Sequence, residues 1–464
     1  MGRKGRTEGA IGWIVLFVLT ILIILPLGTV LLQAVKPGLL GEGSSEKGAS
    51  LLLEVFTRPL WSRALKNSLM LGICTTFFGT IFGAVLANLR VKWDFKAGRL
   101  MDAAAWILMI MPSFIIAQGW VYFASGNGVA RAWLGWDGIS SMVFSFPGLV
   151  FIMVLNKFPF AYVTIKSSLE WKPQRLSYAA RVNGATAWEE WKTVQAPLCI
   201  PAYCSAAILI FMDTIGDFGL PSAISGVYRF QTLPYAIYQA LYSSPIRFDM
   251  AGVLSFYLVL IIIAAMILQY AVMGKKRFDF MDTGTVRTVP ERPPKAAGTL
   301  LNVTGAFLAF LTLCVPIGST IIMSFSSSIS ASNFGFTLDN YKNVILESGD
   351  LLTGLRHSLG IALAAAVLGL ILGFFVSYVM NYSDFAFKRV IDMLSLVALA
   401  VPGVVLGIGY IFVWNQRWLE ELGLQMYGTP RLIILASVAA AIPVITRVLT
   451  RGMAKIPTQM LFAA

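Results

Sequence analysis

Apolar residues in this chain are grouped in long runs that are separated by short polar segments. A helix needs roughly 20 apolar residues to cross about 30 Å of hydrocarbon. Runs of about that length lie near residues 11–35, 67–89, 101–123, 146–166, 198–216 and 250–273, and then near 299–323, 358–380, 391–413 and 431–450. The pattern therefore predicts an all-α polytopic membrane protein with six spanning helices followed by four.

The two groups of runs share a pattern of glycines, prolines and charged residues. At an offset of 290 this pattern pairs Gly79 with Gly369, Gly83 with Gly373, Pro112 with Pro402 and Asp102 with Asp392, and at an offset of 284 it pairs Pro159 with Pro443 and Tyr178 with Phe462. Such matches indicate an internal duplication. We predict a first domain at 1–274, a proline-rich and charged linker at 275–298 and a second domain at 299–464. We expect the second domain to be incomplete, as in a truncated form or partial gene, because it lacks counterparts of residues 181–273.

Composition supports a membrane protein and excludes an ordinary soluble domain, because 57% of the residues are apolar and only 13% are charged. Lysine and arginine concentrate in alternate loops, at 90–99, 166–192 and 275–295. This bias accounts for the net charge of +13 without nucleic acid, and it predicts that the amino terminus of this multi-pass protein lies in the cytoplasm. The first run follows a basic segment, so a cleaved signal peptide is an alternative. Its length and the lack of a clear small-x-small cleavage site favour a retained anchor.

Residues with catalytic or metal-binding spacing are not evident in the sequence. The single histidine, His357, has no obvious ligand partners, and there is no Walker lysine motif for ATP. The four cysteines lie in or at apolar runs and are predicted to be small buried residues: Cys74, Cys199, Cys204 and Cys314. We therefore predict no catalytic residue, no metal site and no cofactor, and the chain is not expected to be an enzyme.

A spaced motif occupies the loop between the fourth and fifth runs. The motif consists of Tyr178, Ala179, Ala180, Gly184 and Pro197. Its start recurs in the second copy as Phe462, Ala463 and Ala464. Alanines favour a helix with a small surface, and glycine permits a turn that other residues resist. In the same loop, Trp188 and Trp191 are three residues apart and are predicted to form the apolar face of a second short helix.

This motif resembles the cytoplasmic loop of ABC importer permeases, whose consensus is Glu-Ala-Ala, three residues, Gly, nine residues, an aliphatic, one residue, Leu, Pro. Tyr178 replaces the usual Glu, and Ala196 replaces the usual Leu. The resemblance implies that the motif residues of each copy form a coupling helix. Each coupling helix would sit on an ATPase subunit, which is a separate chain. It also implies two type I importer transmembrane domains in tandem, two ATPase subunits that bind the ATP, and an extracytoplasmic solute-binding protein.

The segment Gly216-Asp217-Phe218-Gly219-Leu220-Pro221 looks like that of fused permeases from the iron(III)-type group, which has thiamine, phosphonate and polyamine relatives. The resemblance implies ferric iron as the best guess for the solute. The alternatives are an ion-gradient-driven secondary carrier, an intramembrane enzyme, and a receptor or scaffold. A carrier has no use for a coupling loop, and an intramembrane enzyme needs a reactive group that the sequence does not show.

Three ionisable residues lie within or beside the predicted membrane segments. Lys157 is near the middle of the fourth run, Asp213 is inside the fifth, and Asp217 is at its outer end. Charges at such depth are costly and usually face a cavity or a partner. We predict that the three lie beside the translocation path, with Lys157 and Asp213 paired. A structural ion pair, a snorkelling lysine, and a turn or docking role for Asp217 remain open.

Two further patterns concern helix packing. The glycine pairs 79/83 and 369/373 have the spacing that lets membrane helices approach closely, so we predict close packing there. Asp102 and Asp392 each follow an arginine by three residues, and we predict ion pairs with Arg99 and Arg389.

Overall fold

The computed structural model describes residues 2–36, 50–170, 174–273, 289–328 and 330–455. The α-helices before residue 274 are α1 (Gly2–Leu19), α2 (Leu25–Val35), α3 (Ser50–Thr57), α4 (Pro59–Lys92), α5 (Lys96–Ile110), α6 (Ser113–Ala124), α7 (Val129–Leu134), α8 (Ile139–Val143), α9 (Phe146–Glu170), α10 (Gln174–Val182), α11 (Ala187–Glu190), α12 (Ala196–Gly216), α13 (Gly219–Tyr228), α14 (Leu233–Tyr242) and α15 (Phe248–Met273).

Eight more α-helices follow residue 288. They are α16 (Lys295–Ala309), α17 (Val315–Ser324), α18 (Asp339–Lys342), α19 (Asp350–Tyr382), α20 (Lys388–Ala400), α21 (Gly403–Trp414), α22 (Arg417–Glu421) and α23 (Pro430–Met453). Short π-helical segments occur at Thr20–Ile24, Trp191–Gln195, Phe310–Cys314 and Asn343–Glu347, and a 3₁₀ turn occurs at Ala331–Asn333. Extended pairing within the described ranges is limited to two isolated bridges, Trp93 with Glu291 and Ser326 with Phe336.

The predicted membrane architecture is confirmed. Within the described ranges, eight helical segments are long and apolar enough to cross a membrane, and the number rises to ten if each of two bent helix pairs is one span. These segments coincide with the ten apolar runs. The duplication itself stays a prediction.

The third run of each group forms a bent pair of helices rather than one straight helix. The bend between the two members is 109° in both pairs, α5 with α6 and α20 with α21. Pro112 and Pro402 are the N-cap residues directly before the second members, and the residues that precede these prolines are extended, with ψ of 129° and 127°. Proline disfavours the helical conformation of the preceding residue and supplies no N–H donor. The expectation of continuous helices at 101–123 and 391–413 is therefore wrong.

Other prolines are accommodated inside nearly continuous helices. Pro26, Pro197 and Pro316 are each the second residue of an α-helix that follows a π-helical segment directly. The proline ring crowds the carbonyl four residues earlier, and a widened turn is one way in which a helix absorbs such a defect. This is why the runs at 11–35 and 299–323 stay helical throughout.

Contacts divide the chain into two compact units. The first unit comprises Met1–Ser62, Ala236–Ile262 and Lys342–Ala464. Within it, the Tyr410 hydroxyl donates a 2.8 Å hydrogen bond to the carbonyl oxygen of Leu22. A Cβ atom at Gly409 would collide with the carbonyl oxygen of Pro26, so α21 and α2 touch through their backbones.

The second unit comprises Arg63–Tyr235 and Ile263–Tyr341. In this unit a Cβ atom at Gly119 would collide with the carbonyl oxygen of Pro316, so α6 and α17 also touch through their backbones. Gly119 lies 290 residues before Gly409, and Pro316 lies 290 residues after Pro26. The two backbone contacts therefore occur at matching positions of the predicted repeat. The boundaries predicted from the sequence repeat, 1–274 and 299–464, stay a prediction, and the compact units follow a different division.

The predicted close packing at the glycine pairs is confirmed. A Cβ atom at Gly83 would lie 2.6 Å from the Ala161 Cβ and 2.8 Å from the carbonyl oxygen of Phe158, both on α9. In the other unit, Gly369 and Gly373 lie against the side chain of Ile445 on α23. Glycine on α4 and α19 allows the neighbouring helix to approach closely.

Candidate functional site

The segment 174–197, which we call the protrusion, begins with α10 and reverses at Gly184. The N–H of Gly184 donates to the carbonyl oxygen of Arg181 at 3.0 Å, and the N–H of Ala185 donates to that of Ala180, also at 3.0 Å. This pair of bonds is the Schellman pattern, which ends a helix with a left-handed residue. Gly184 has a φ of 85°, a conformation that glycine adopts without strain. The structure therefore explains the glycine of the motif.

The second half of the protrusion begins with a capping box that the sequence interpretation missed. The N–H of Thr186 donates to Glu189 Oε2 at 2.8 Å, and the N–H of Glu189 donates to Thr186 Oγ1 at 3.3 Å. The bond from the Thr186 N–H stabilises the charged carboxylate and is the main cause of a lowered pKa of Glu189. The pattern Thr-x-x-Glu before α11 was the readable signal. Helix α12 then begins at Ala196, with Pro197 as its second residue, as predicted.

An ion pair joins the two short helices of the protrusion. Arg181 Nε lies 2.6 Å from Glu190 Oε2. The Glu190 side chain is 1% exposed, whereas that of Arg181 is 60% exposed. The hydrogen bond to Glu190, followed by the charge of Glu190, raises the pKa of Arg181. A buried carboxylate thus holds a cation that is still open to solvent.

Aromatic side chains project from the protrusion. The rings of Trp188 and Trp191 stack with centroids 5.0 Å apart and an interplanar angle of 17°. Both tryptophans are exposed, and so are Tyr178 and Val182. An exposed apolar surface on a polar loop marks an interaction site when its members are grouped. The second-copy counterparts, Phe462, Ala463 and Ala464, lie outside the described residues.

A second candidate site is a cluster of three charges on α9 and at the end of α12, which we call the ion cluster. Lys157 Nζ lies 2.5 Å from Asp213 Oδ2 and 2.6 Å from Asp217 Oδ2. The Lys157 and Asp217 side chains are 7% and 4% exposed, and that of Asp213 is 39% exposed. The predicted contact between Lys157 and Asp213 is present, and Asp217 shares the same lysine.

Asp217 has further partners that fix its position. Ser113 Oγ donates to Asp217 Oδ1 at 2.9 Å, and the N–H of Leu220 donates to the same oxygen at 3.1 Å. The carboxylate therefore ties the start of α6 to the start of α13. A free docking role for Asp217 does not fit this burial. Ser113 was missed because nothing in its local sequence marks it as a partner.

The predicted arginine–aspartate pairs take other partners. Asp102, expected to pair with Arg99, accepts hydrogen bonds from Arg90, Tyr162 and Lys166 at 3.1, 2.6 and 2.5 Å. These donors come from α4 and α9, so the carboxylate joins three helices. Asp392, expected to pair with Arg389, instead lies 3.3 Å from Arg447 on α23. In both cases the aspartate contacts residues on neighbouring helices, whereas the spacing of three residues predicted a partner on its own helix.

The single histidine and the four cysteines differ in their surroundings. His357 lines a mainly apolar cavity of about 740 Å³ together with Tyr410 and Tyr427. Among the described residues, no three His, Cys, Asp or Glu side chains are grouped so that they could hold a metal ion. All four cysteines are free, but only Cys199 is buried and Cys314 is exposed. The prediction of burial is wrong for Cys314 because an apolar run does not tell which face of a helix is covered.

Comparison with known proteins gives a consistent result. Residues 79–277 match the family described as binding-protein-dependent transport system inner membrane component. The chain is 23% identical over 415 residues to a putative ferric transport system permease protein of Haemophilus influenzae, covering 87% of this chain and 63% of that protein. It is 21% identical over 400 residues to a ferric transport system permease protein of Actinobacillus pleuropneumoniae, covering 85% of this chain and 57% of that protein.

Shorter matches cover other cargoes. A molybdenum transport system permease protein of Escherichia coli K12 is 28% identical over 189 residues, which are 40% of this chain and 81% of that protein. A solved bacterial ABC transporter involved in the import of the acidic polysaccharide alginate aligns with a TM-score of 0.42 and 17% identity, over 53% of this chain and 88% of that one. The chain spans less than two thirds of the length of both ferric relatives. Residues 79–277 are therefore similar to the inner membrane components of binding-protein-dependent transport systems, and most of the chain is similar to the two ferric permeases.

Proposed function

We propose that this chain is a membrane-spanning permease subunit of an ATP-driven importer. Its solute is delivered by an extracytoplasmic binding protein, and two separate ATPase subunits bind and hydrolyse the ATP. The family match at 79–277 and the long alignments to ferric permeases support this proposal. Ferric iron is the favoured solute, because the relatives that align over most of the chain are named for it.

The protein is proposed to lie in the inner membrane of a bacterium with its amino terminus in the cytoplasm. The lysines and arginines of the loops at 90–99 and 166–192 support this orientation. The protrusion then faces the cytoplasm, where the ATPase subunits are. Transport proceeds by alternating access: closure of the ATPase subunits moves the protrusions and rocks the membrane domains.

The exposed aromatic surface of the protrusion is the observation that carries this proposal. Stacked Trp188 and Trp191 face solvent from a short helix whose entry is fixed by Gly184. A short helix with an apolar face binds in a groove of a partner protein. Helix caps on both sides of the turn at Gly184 suit a part that must transmit displacement. A secondary carrier has no comparable need for such a part.

Replacing Gly184 by proline tests the assignment. Proline holds φ near about −65°, whereas Gly184 has a φ of 85° and its N–H donates to Arg181. We expect uptake into vesicles that contain the assembled transporter to fall to background. Membrane insertion should be normal, because no spanning helix is changed. The double variant Trp188→Ala and Trp191→Ala should lose co-purification of the ATPase subunits.

Gly135→Pro is the matched control. Gly135 also has a left-handed conformation, with a φ of 68°, and its N–H donates to Arg131. It follows α7 and is predicted to lie on the opposite side of the membrane, so ATPase co-purification should be unchanged. Normal uptake by Gly184→Pro would overturn the coupling role. Uptake that resists vanadate but stops when ion gradients collapse would instead support a secondary carrier.

The ion cluster is proposed to lie beside the translocation path. It contains two carboxylates and one ammonium group, so its formal charge is negative when all three are ionised. Asp213 is its most exposed member and lies in the last turn of α12, where the helix dipole adds further negative potential. Such a site favours a cation over an oxyanion, which agrees with ferric iron. Asp213→Asn should therefore weaken iron uptake while leaving ATPase co-purification intact.

A further inference from the structure

Glu190 is a buried carboxylate in an otherwise exposed loop. Its side chain is 1% exposed, although the adjacent Glu189 and Trp191 are exposed. Burying a carboxylate costs free energy unless a cation and hydrogen bonds compensate it. Arg181 supplies such a cation at 2.6 Å. The pair connects α10 to α11 across the turn at Gly184.

The ends of both short helices are already fixed by backbone bonds. The Schellman bonds at Gly184 and Ala185 end α10, and the capping box of Thr186 and Glu189 begins α11. These local bonds set where each helix stops and starts. They do not by themselves fix the angle between the helices, because rotation about the turn leaves them intact. The Arg181–Glu190 contact spans nine residues of sequence and restricts that angle.

Arg181 is also subject to the charge of Glu291, which contributes to its raised pKa. The main chain of Glu291 is bonded to the turn between α4 and α5, through Asp94 N–H to Glu291 O at 2.8 Å and Glu291 N–H to Lys92 O at 3.0 Å. Negative groups from two parts of this unit therefore act on one guanidinium. Arg181 therefore responds to a charge outside the protrusion as well as to Glu190.

We propose that Arg181 and Glu190 are positioning residues that fix the angle of the protrusion and so orient Trp188 and Trp191 toward the ATPase subunit. This inference rests on the proposed coupling function. The protrusion can transmit a movement of the ATPase subunit to the membrane helices only if it deforms less than the ATPase subunit moves. Loss of the ion pair should leave the aromatic surface intact but free to change its orientation. ATP hydrolysis should then continue while less solute is transported per ATP.

The burial of the two partners predicts an asymmetry between single variants. Glu190→Gln removes the charge and leaves a guanidinium that water already reaches. Arg181→Gln instead removes one partner of a carboxylate that water does not reach, which is the more costly change. We expect Arg181→Gln to raise the ATP hydrolysed per solute transported by about tenfold or more, and Glu190→Gln to raise it by about threefold.

Two measurements on the assembled transporter test the proposal. Spin labels on Val182→Cys and Thr193→Cys, both exposed positions, report the distance between the end of α10 and the π-helical segment that continues α11, in a background without the native cysteines. Vesicle assays report the ratio of ATP hydrolysed to solute transported. Both single variants should broaden the distance distribution and raise the ratio. The charge-exchanged variant, Arg181→Glu with Glu190→Arg, should narrow the distribution again and recover at least part of the coupling.

Lys192→Gln is the control, because it removes a positive charge from an exposed position of the same loop. It should change neither measurement. An unchanged distance distribution in Arg181→Gln would overturn the proposed clamp. A broadened distribution with an unchanged ATP ratio would overturn its role in coupling. Failure of the coupling function itself is distinguished by Gly184→Pro, which would then transport normally.

Discussion

Helices α9 and α23 occupy matching positions in the predicted repeat, yet they differ in charge. Both carry a proline inside the helix, Pro159 and Pro443. At the same offset of 284, Lys157 of α9 corresponds to Ala441 of α23. The ammonium group of α9 lies between two carboxylates, whereas α23 has a methyl group at that position. The two helices therefore share an internal proline but not the charge at this position.

This difference distinguishes the contacts that hold the helices together from a charge that helix packing does not need. The contacts of Gly119 with Pro316 and of Gly409 with Pro26 occur at matching positions and use only backbone and small residues. Close packing of this kind is available to any membrane helix pair. Only one of the two matching positions carries the lysine of the ion cluster, so helix packing alone does not require that lysine. That makes it the better candidate for a role in handling solute.

Replacing Lys157 by alanine, the residue at the matching position of the second copy, should have the largest effect. Lys157→Ala leaves Asp213 and Asp217 close together without their shared cation. Breaking a buried ion pair from one side costs about 3–5 kcal/mol. We expect a strong loss of thermal stability in detergent and loss of folded protein, measured by fluorescence-detected size exclusion.

A triple variant shows whether charge is the cause. Adding Asp213→Asn and Asp217→Asn to Lys157→Ala removes the uncompensated charges and should restore most of the stability. Iron uptake should stay low if the cluster lies beside the path. A triple variant that is as unstable as Lys157→Ala would show that packing, and not charge, is lost. Full uptake by a stable triple variant would remove the cluster from the transport proposal.

The sequence predicted the spanning segments well because length and apolar composition determine them directly. It failed at Pro112 and Pro402, where the bend could have been predicted from the restriction that proline places on the residue before it. It also missed that Asp217 shares Lys157. Asp213 and Asp217 are four residues apart, the spacing of neighbours on one helix face, so this signal was readable.

Contacts across helices were beyond local sequence rules. Asp102 was assigned to Arg99 by spacing, but its donors come from α4 and α9. The pair of Arg181 and Glu190 depends on the angle at Gly184, which no short motif encodes. By contrast, Gly119 and Gly409 could have been found from the repeat itself, since their offset is 290. A repeat therefore marks contact positions even where the partner stays unknown.

A methyl group added at matching glycines should have unequal effects, of intermediate size. Gly83→Ala places Cβ against the α9 main chain, 2.8 Å from Phe158 O and 2.9 Å from Tyr162 N. Gly373→Ala meets the Ile445 side chain, which can change its rotamer. Overpacking costs about 1–3 kcal/mol when the neighbours cannot move. We expect Gly83→Ala to lower the detergent melting temperature clearly, and Gly373→Ala to lower it little.

Trimming the neighbour provides the control for this pair. Gly373→Ala combined with Ile445→Val should melt close to the parent protein, because the colliding side chain becomes smaller. Gly83→Ala combined with Ala161→Gly should recover only part of its loss, because the main chain of α9 stays in place. Equal losses for Gly83→Ala and Gly373→Ala would contradict the distinction between backbone and side-chain contacts.

The smallest expected difference concerns Asp102 and Asp392, which also occupy matching positions. Asp102 has three donors from two helices, whereas Asp392 faces Arg447 with both side chains substantially exposed. Replacement by asparagine keeps one acceptor oxygen but removes the charge. Exposed ion pairs contribute about 0–1 kcal/mol, so Asp392→Asn should be nearly silent. Asp102→Asn leaves Arg90 and Lys166 to repel each other and should cost about 1 kcal/mol or more.

Thermal unfolding in detergent at low and high salt measures the effect of both variants, and salt should reduce the Asp392 effect further. If Asp392→Asn proved the more damaging of the two, the three-helix contact at Asp102 would not be the stronger one.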